Sequence, residues 1–174
     1  MIFLYGWSWI VPKEIVENYD CLCLHPSKLP KYRGGTPIQN QIMNGEDFSA
    51  VTIFKMGEGL DDGPIYFQSS FSLSGYIKEI FERIEKIGII GTKSFIKDLK
   101  NNEVVWSEQN ESEATTYKRI NPSNSEIYPN DFLDNNSDYF FNKVRGLQPP
   151  YPEAFIKCKS GKLILEKVRY EKDI

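Results

Sequence analysis

Two short apolar runs open the chain, Ile2-Phe3-Leu4-Tyr5 and Cys21-Leu22-Cys23-Leu24, and the stretch between them has room for little more than one helix. Runs of this length, stopped by Gly6 and by His25-Pro26, have the pattern of strands buried on both faces. Residues 12–18 (PKEIVEN) suit the intervening helix, because a proline is tolerated in a first turn and Ile15 and Val16 fall on one side. A strand, a helical crossover and a second strand commit the opening to a parallel sheet with right-handed connection. The chain is therefore expected to be α/β.

The rest of the pattern extends that sheet. Residues 26–35 (PSKLPKYRGG) hold two prolines and two glycines, the composition of a loop with a required shape. Residues 37–43 read as a helix with Thr36 as N-cap. Residues 49–56 read as a strand, 57–63 as a tight turn, and 64–73 as one or two further strands. Ile77, Ile80, Phe81, Ile84 and Ile87 recur at helical spacing, and Gly88 and Gly91 are expected to break or bend that helix. Residues 107–136 are polar, with anchors at Tyr117, Ile120 and Ile127, and read as an extended linker. A short helix over 139–147 and a hairpin around Ser160-Gly161, with strands over 155–158 and 162–170, complete the chain. The expected division is a catalytic unit over 1–106, the linker over 107–136, and a small C-terminal unit over 137–174.

Composition narrows the function. The 174 residues are 40% hydrophobic and 26% charged, the balance of a soluble globular protein with one core. A net charge of −3 argues against nucleic acid and against an anionic membrane as partner. No apolar run approaches the roughly 20 residues that span a bilayer. Three cysteines, Cys21, Cys23 and Cys158, form neither a disulfide framework nor a zinc quartet; they read as reduced thiols, placing the protein in the cytoplasm. With one histidine, no metal site is expected.

That histidine is the focus of any acid–base chemistry. His25 stands at the carboxyl end of a strand, where open α/β sheets place their ligand crevices. A lone histidine there often does no more than bond a carbonyl. The loop after it argues for more, since two prolines stiffen it and two glycines allow close backbone approach. Leu60-Asp61-Asp62-Gly63 follows another strand. Alone it reads as a turn; beside a loop imidazole, one carboxylate becomes an acid–base partner.

Three elements together, His25-Pro26-Ser27-x-Leu29-Pro30-x-Tyr32-Arg33-Gly34-Gly35-x-Pro37-Ile38, Val51-Thr52-Ile53 and Leu60-Asp61-x-Gly63, closely resemble the 10-formyltetrahydrofolate-dependent formyltransferases. Glu113-Ala114-Thr115, Arg119, Val144-Arg145-Gly146-Leu147 and Pro150-Tyr151-Pro152 extend the resemblance over most of the chain. It implies a Rossmann-like parallel sheet, here partial, followed by a small β-containing appendage. By similarity, His25 donates to the oxyanion that forms when an amine attacks the formyl carbon, and Asp61 keeps the imidazole protonated and helps move the proton. Trp7, Ser8, Trp9, Ile10 and Val11 would hold the pterin of 10-formyltetrahydrofolate, with Gly57, Gly59 and Leu60 closing the other side. Ser27, Lys28, Arg33 and Gly34 would face the substrate.

The resemblance also marks two departures. Family members carry asparagine two positions before the histidine as a second oxyanion donor; here Cys23 stands there, and Asn40 on the next helix is the candidate replacement. Family members also carry βα units ahead of the first strand. Without them the sheet is expected to expose an apolar edge, leading to a homodimer or to poor solubility. The acidic balance and the Gly6-Trp7-Ser8-Trp9 segment favour a nucleotide-linked amino sugar as the amine substrate. Methionyl-tRNA is the second choice, and an inactive truncated domain that binds only folate or a partner is the reading from another class.

Overall fold

The computed structural model describes residues 1–7, 9–169 and 171. The opening forms the expected strand, helix and strand: β1 (Ile2–Tyr5), α1 (Lys13–Asn18) and β2 (Cys21–His25), with the strands parallel and in register from Ile2 opposite Cys21 to Tyr5 opposite Leu24. β1 is not the strand buried on both faces that its apolar run suggested, because it lies at the sheet edge and alternates between half-buried and exposed residues. After the loop come a two-residue strand, β3 (Arg33–Gly34), and α2 (Pro37–Met43). Then β4 (Phe48–Lys55) and β5 (Ile65–Ser72) complete a four-stranded sheet in the order β1-β2-β4-β5.

The fold is α/β, but the sheet is mixed where a parallel one was expected. β4 runs antiparallel to β2, and β5 antiparallel to β4. The reason lies in α2. Seven helical residues rise only about 10 Å, whereas the eight residues of β4 extend about 27 Å. So short a helix cannot carry the chain back to the other end of the sheet, and β4 enters from the end that β2 has just left. Residues 65–72 form one strand. Thr36 precedes α2 but does not cap it through its side chain; its backbone is left-handed (φ 44°) and its Oγ1 accepts from the Ile120 N–H at 2.9 Å.

The expected break at Gly88 and Gly91 does not occur: α3 (Ile77–Asn101) runs continuously through both. A Cβ on Gly88 would lie 2.6 Å from the Leu24 side chain, and one on Gly91 2.7 Å from Phe67. The glycines let the helix approach the sheet closely, and the contact offsets their poor helix propensity. Ile77, Ile80 and Ile84 pack with Ile38, Ile42, Val51, Phe71 and Leu73 in one core cluster; Phe95 packs with Leu22 and Ile53 in a second. Ile80 is fully buried. Ile80→Val should therefore lower the unfolding free energy by about 1 kcal/mol, read as a reduced urea midpoint at unchanged slope.

Residues 107–136 are fastened to the elements before them. β6 (Thr116–Tyr117) pairs in parallel with β3, the Tyr117 ring stacks on Tyr32 at 4.7 Å, and Ile127 is buried. After a short α4 (Asp131–Asp134), α5 (Ser137–Gly146) packs Gly146 against Ile42 of α2. The terminal hairpin is β7 (Phe155–Cys158) with β8 (Gly161–Ile164); β8 ends before the expected limit, and Tyr170 lies outside the described residues. Among the described residues β1 is a sheet edge, where Phe3 and Tyr5 are partly exposed, as are Ile89, Ile96 and Leu99 of α3. No described helix is long and apolar enough to cross a membrane.

Candidate active site

The carboxyl end of β2, the turn after β4 and the paired β3 and β6 surround one cleft of about 670 Å³. His25 and Asp61, from separate segments, meet in it. The imidazole is 5% exposed. Its Nε2 lies 2.8 Å from the Tyr32 carbonyl oxygen, and its Nδ1 lies 3.5 Å from Asp61 Oδ2. A carbonyl only accepts, so Nε2 carries a hydrogen and donates it. Nδ1 is the nitrogen left for proton exchange, and it faces the carboxylate. The histidine thus bonds a carbonyl through one nitrogen and faces a carboxylate with the other.

Asp61 is held from two directions. Its Oδ2 also accepts from the Gly34 N–H at 2.8 Å, and its own carbonyl accepts from Gln109 Nε2 at 2.9 Å. The residue sits at φ 52°, a left-handed conformation that Asp tolerates better than most residues. Gly34, at φ 96°, has no alternative: a Cβ there would lie 2.5 Å from the Tyr117 carbonyl.

Every described residue among those expected to hold the cofactor lines the cleft. Trp7, Trp9, Ile10 and Val11 form one wall, and Gly57, Gly59 and Leu60 part of another; Ser8 lies outside the described residues. Trp9 is 76% exposed and Trp7 55%, so both offer open ring faces at the mouth.

The expected substrate contacts divide. Gly34 lines the cleft, but Ser27, Lys28 and Arg33 do not. The Ser27 hydroxyl is buried in the loop, donating to the Lys31 carbonyl at 2.7 Å, and Lys28 points to solvent. Arg33 spends its donors on Glu111 (2.9 and 2.5 Å) and Gln109 (2.8 and 3.2 Å). Gln109 in turn donates to the Asp61 and Gly63 carbonyls, so Arg33 braces the loop that carries the carboxylate. The Glu111 carboxyl is held below its ordinary value by that guanidinium.

Cys23 lies two residues before His25 on β2, and both line the cleft. Burial, reinforced by the Asp61 charge, pushes its thiol up to about 12. Asn40 does not replace the missing amide: its Nδ2 donates to the Gly35 carbonyl at 2.9 Å and the Lys118 carbonyl at 3.3 Å, and it does not line the cleft. A thiol that stays protonated is a poor nucleophile. At about pH 8, iodoacetamide should label exposed Cys158 and leave Cys21 and Cys23 intact in the folded chain, as peptide mass mapping would show.

Sequence reading missed Thr36, Tyr117, Lys118 and Tyr151 as lining residues, and used Arg119 only for the resemblance. They reach the cleft through the pairing of β6 with β3 and through the turn after α5. A two-residue pairing across 83 positions leaves no periodicity to detect; Pro149-Pro150-Tyr151-Pro152 was the one available signal.

Comparison with known proteins places this arrangement. The family model described as formyl transferase matches residues 1–80. The methionyl-tRNA formyltransferase of Caldicellulosiruptor saccharolyticus is 32% identical over 167 residues, 94% of this chain and 51% of that protein. The structure of the methionyl-tRNA formyltransferase from Clostridium thermocellum superposes with a TM-score of 0.82 at 35% identity, over 97% of this chain and 72% of that one. A 4-N formyltransferase from Francisella tularensis shares the fold with a TM-score of 0.79 at 22% identity, over 98% of this chain and 71% of that one. The matches agree on one class, the formyl transferases, whose fold this chain shares. Within it, the chain belongs to the 10-formyltetrahydrofolate-dependent formyltransferase family. It spans about half the length of the curated relatives it matches.

Proposed function

We propose that this protein transfers the formyl group of 10-formyltetrahydrofolate to a primary amine. The observation that carries the reading is the meeting of His25 Nδ1 and Asp61 Oδ2, 3.5 Å apart, in an aromatic-walled cleft. The amine nitrogen attacks the formyl carbon, and the carbonyl electron pair moves onto oxygen. With Nε2 committed to Tyr32, the protonated imidazole donates to that oxyanion through Nδ1. Collapse breaks the bond to the folate nitrogen, which takes up the proton that the amine gives away, with Asp61, facing His25 Nδ1, as relay. Trp7 and Trp9 supply apolar faces for the pterin.

Methionyl-tRNA is the acceptor that the relatives' names support best, and it replaces the amino sugar as first choice. The net charge of −3 supports a nucleotide-linked amino sugar as the second. The test supplies 10-formyltetrahydrofolate with each acceptor in turn and follows tetrahydrofolate release and the formylated product. Formylmethionyl-tRNA is expected. Product from the amino sugar alone would reverse the choice. Quenching of tryptophan fluorescence by folate with no turnover on either acceptor would sink the enzyme reading in favour of a binding domain.

A further inference from the structure

Tyr32 touches the site only through its backbone, yet it is secured on every side. Its φ of 61° lies in the left-handed region, where a bulky side chain is a genuine outlier. The carbonyl so turned is the one that receives His25 Nε2 at 2.8 Å. Its N–H donates to Thr115 Oγ1 at 2.9 Å. The hydroxyl, away from the cleft, donates to Glu46 Oε1 at 2.7 Å and accepts from Asn44 Nδ2 at 3.2 Å. Asn44 also donates to the Tyr117 hydroxyl at 2.9 Å, beneath the stacked pair of rings. Burial pushes the Tyr32 hydroxyl up to about 12, so it remains a donor at working pH.

A disposable loop residue would relax out of this conformation. We propose that Tyr32 is a positioning residue, whose hydroxyl anchorage on Glu46 and Asn44 holds the left-handed backbone that fixes His25 as the Nε2–H tautomer and leaves Nδ1 for proton transfer. The inference rests on the reading of His25 as the acid–base group. It extends the site to α2's exit, where neither Asn44 nor Glu46 lines the cleft.

The single histidine makes the test direct. In the ¹⁵N-labelled full chain at about pH 9, where a histidine is ordinarily neutral, two-bond proton–nitrogen correlations should show one tautomer, with hydrogen on Nε2. Tyr32→Phe keeps the ring stack and deletes only the anchor. It is expected to give mixed tautomers and to lower kcat about tenfold, with KM for 10-formyltetrahydrofolate changed less than twofold. Glu46→Gln alone, which retains an acceptor for the Tyr32 hydroxyl, should keep the native spectrum and rate. Should Tyr32→Phe fail to fold, Asn44→Ala combined with Glu46→Ala removes the same anchor from the other side. A native single-tautomer spectrum in the unanchored variant overturns the proposal, whatever its rate. Mixed tautomers in a variant of a chain that shows no formyl transfer would uphold the positioning role and remove the enzyme reading, so the two failures are separable.

Discussion

His25→Ala is expected to lower formyl transfer by about 10²–10⁴-fold, the range for loss of a positioned acid–base group. The imidazole is the only side chain of its kind in the chain, and its Nδ1 faces Asp61 Oδ2 at 3.5 Å. The variant must be shown to fold, because it leaves the buried Tyr32 carbonyl without its donor, at a cost of about 1–3 kcal/mol. Circular dichroism and a melting curve separate that cost from the catalytic loss. Asp61→Asn provides a second reading of the same pair. It preserves the oxygen that receives the Gly34 N–H but withdraws the charge facing Nδ1. A folded His25→Ala protein with native turnover would remove His25 from the mechanism.

Cys23→Asn works in the opposite direction: turnover is expected to rise by about 10–10²-fold. Removing one oxyanion donor from an enzyme commonly costs about 10²–10³-fold, and this chain carries a weak donor where the family resemblance places an amide. The thiol stays protonated up to about 12, so its S–H offers one feeble hydrogen bond and no negative charge. The strand places position 23 on the face that His25 occupies, and the cleft beyond has room for the larger side chain. The gain should appear in kcat, since the added donor acts on charge that develops only after attack. An unchanged or lower kcat in a folded Cys23→Asn protein would mean that the oxyanion forms elsewhere in the cleft.

The parts of this site that were legible in the sequence are those fixed by local chemistry. His25 at a strand end and Asp61 in a turn each announce themselves by their neighbours, and the first two strands follow from apolar runs with sharp stops. Sheet direction was not legible, because it depends on how far α2 carries the chain and not on the pattern of β4 itself. Glycines in α3 read as breaks because propensity is local, while the close approach that rewards them involves Leu24, Ile53 and Phe67 on other elements. Arg33 illustrates the same limit. Its charge and its place in the motif suggest a substrate contact; its partners, Glu111 and Gln109, lie more than 70 positions away and turn it into a brace.

The continuity of α3 has a consequence for where its stability comes from. A helix that contains two glycines loses about 1 kcal/mol at each relative to alanine, and nucleating any helix in water is itself unfavourable. α3 therefore gains its stability mainly from the sheet it covers, and has little of its own before that sheet exists. The β4–β5 hairpin, a pairing of neighbouring segments with a modest loop to close, can form without it. The wall of the cleft formed by Phe81 and Ile84 therefore exists only while α3 stays docked on the sheet.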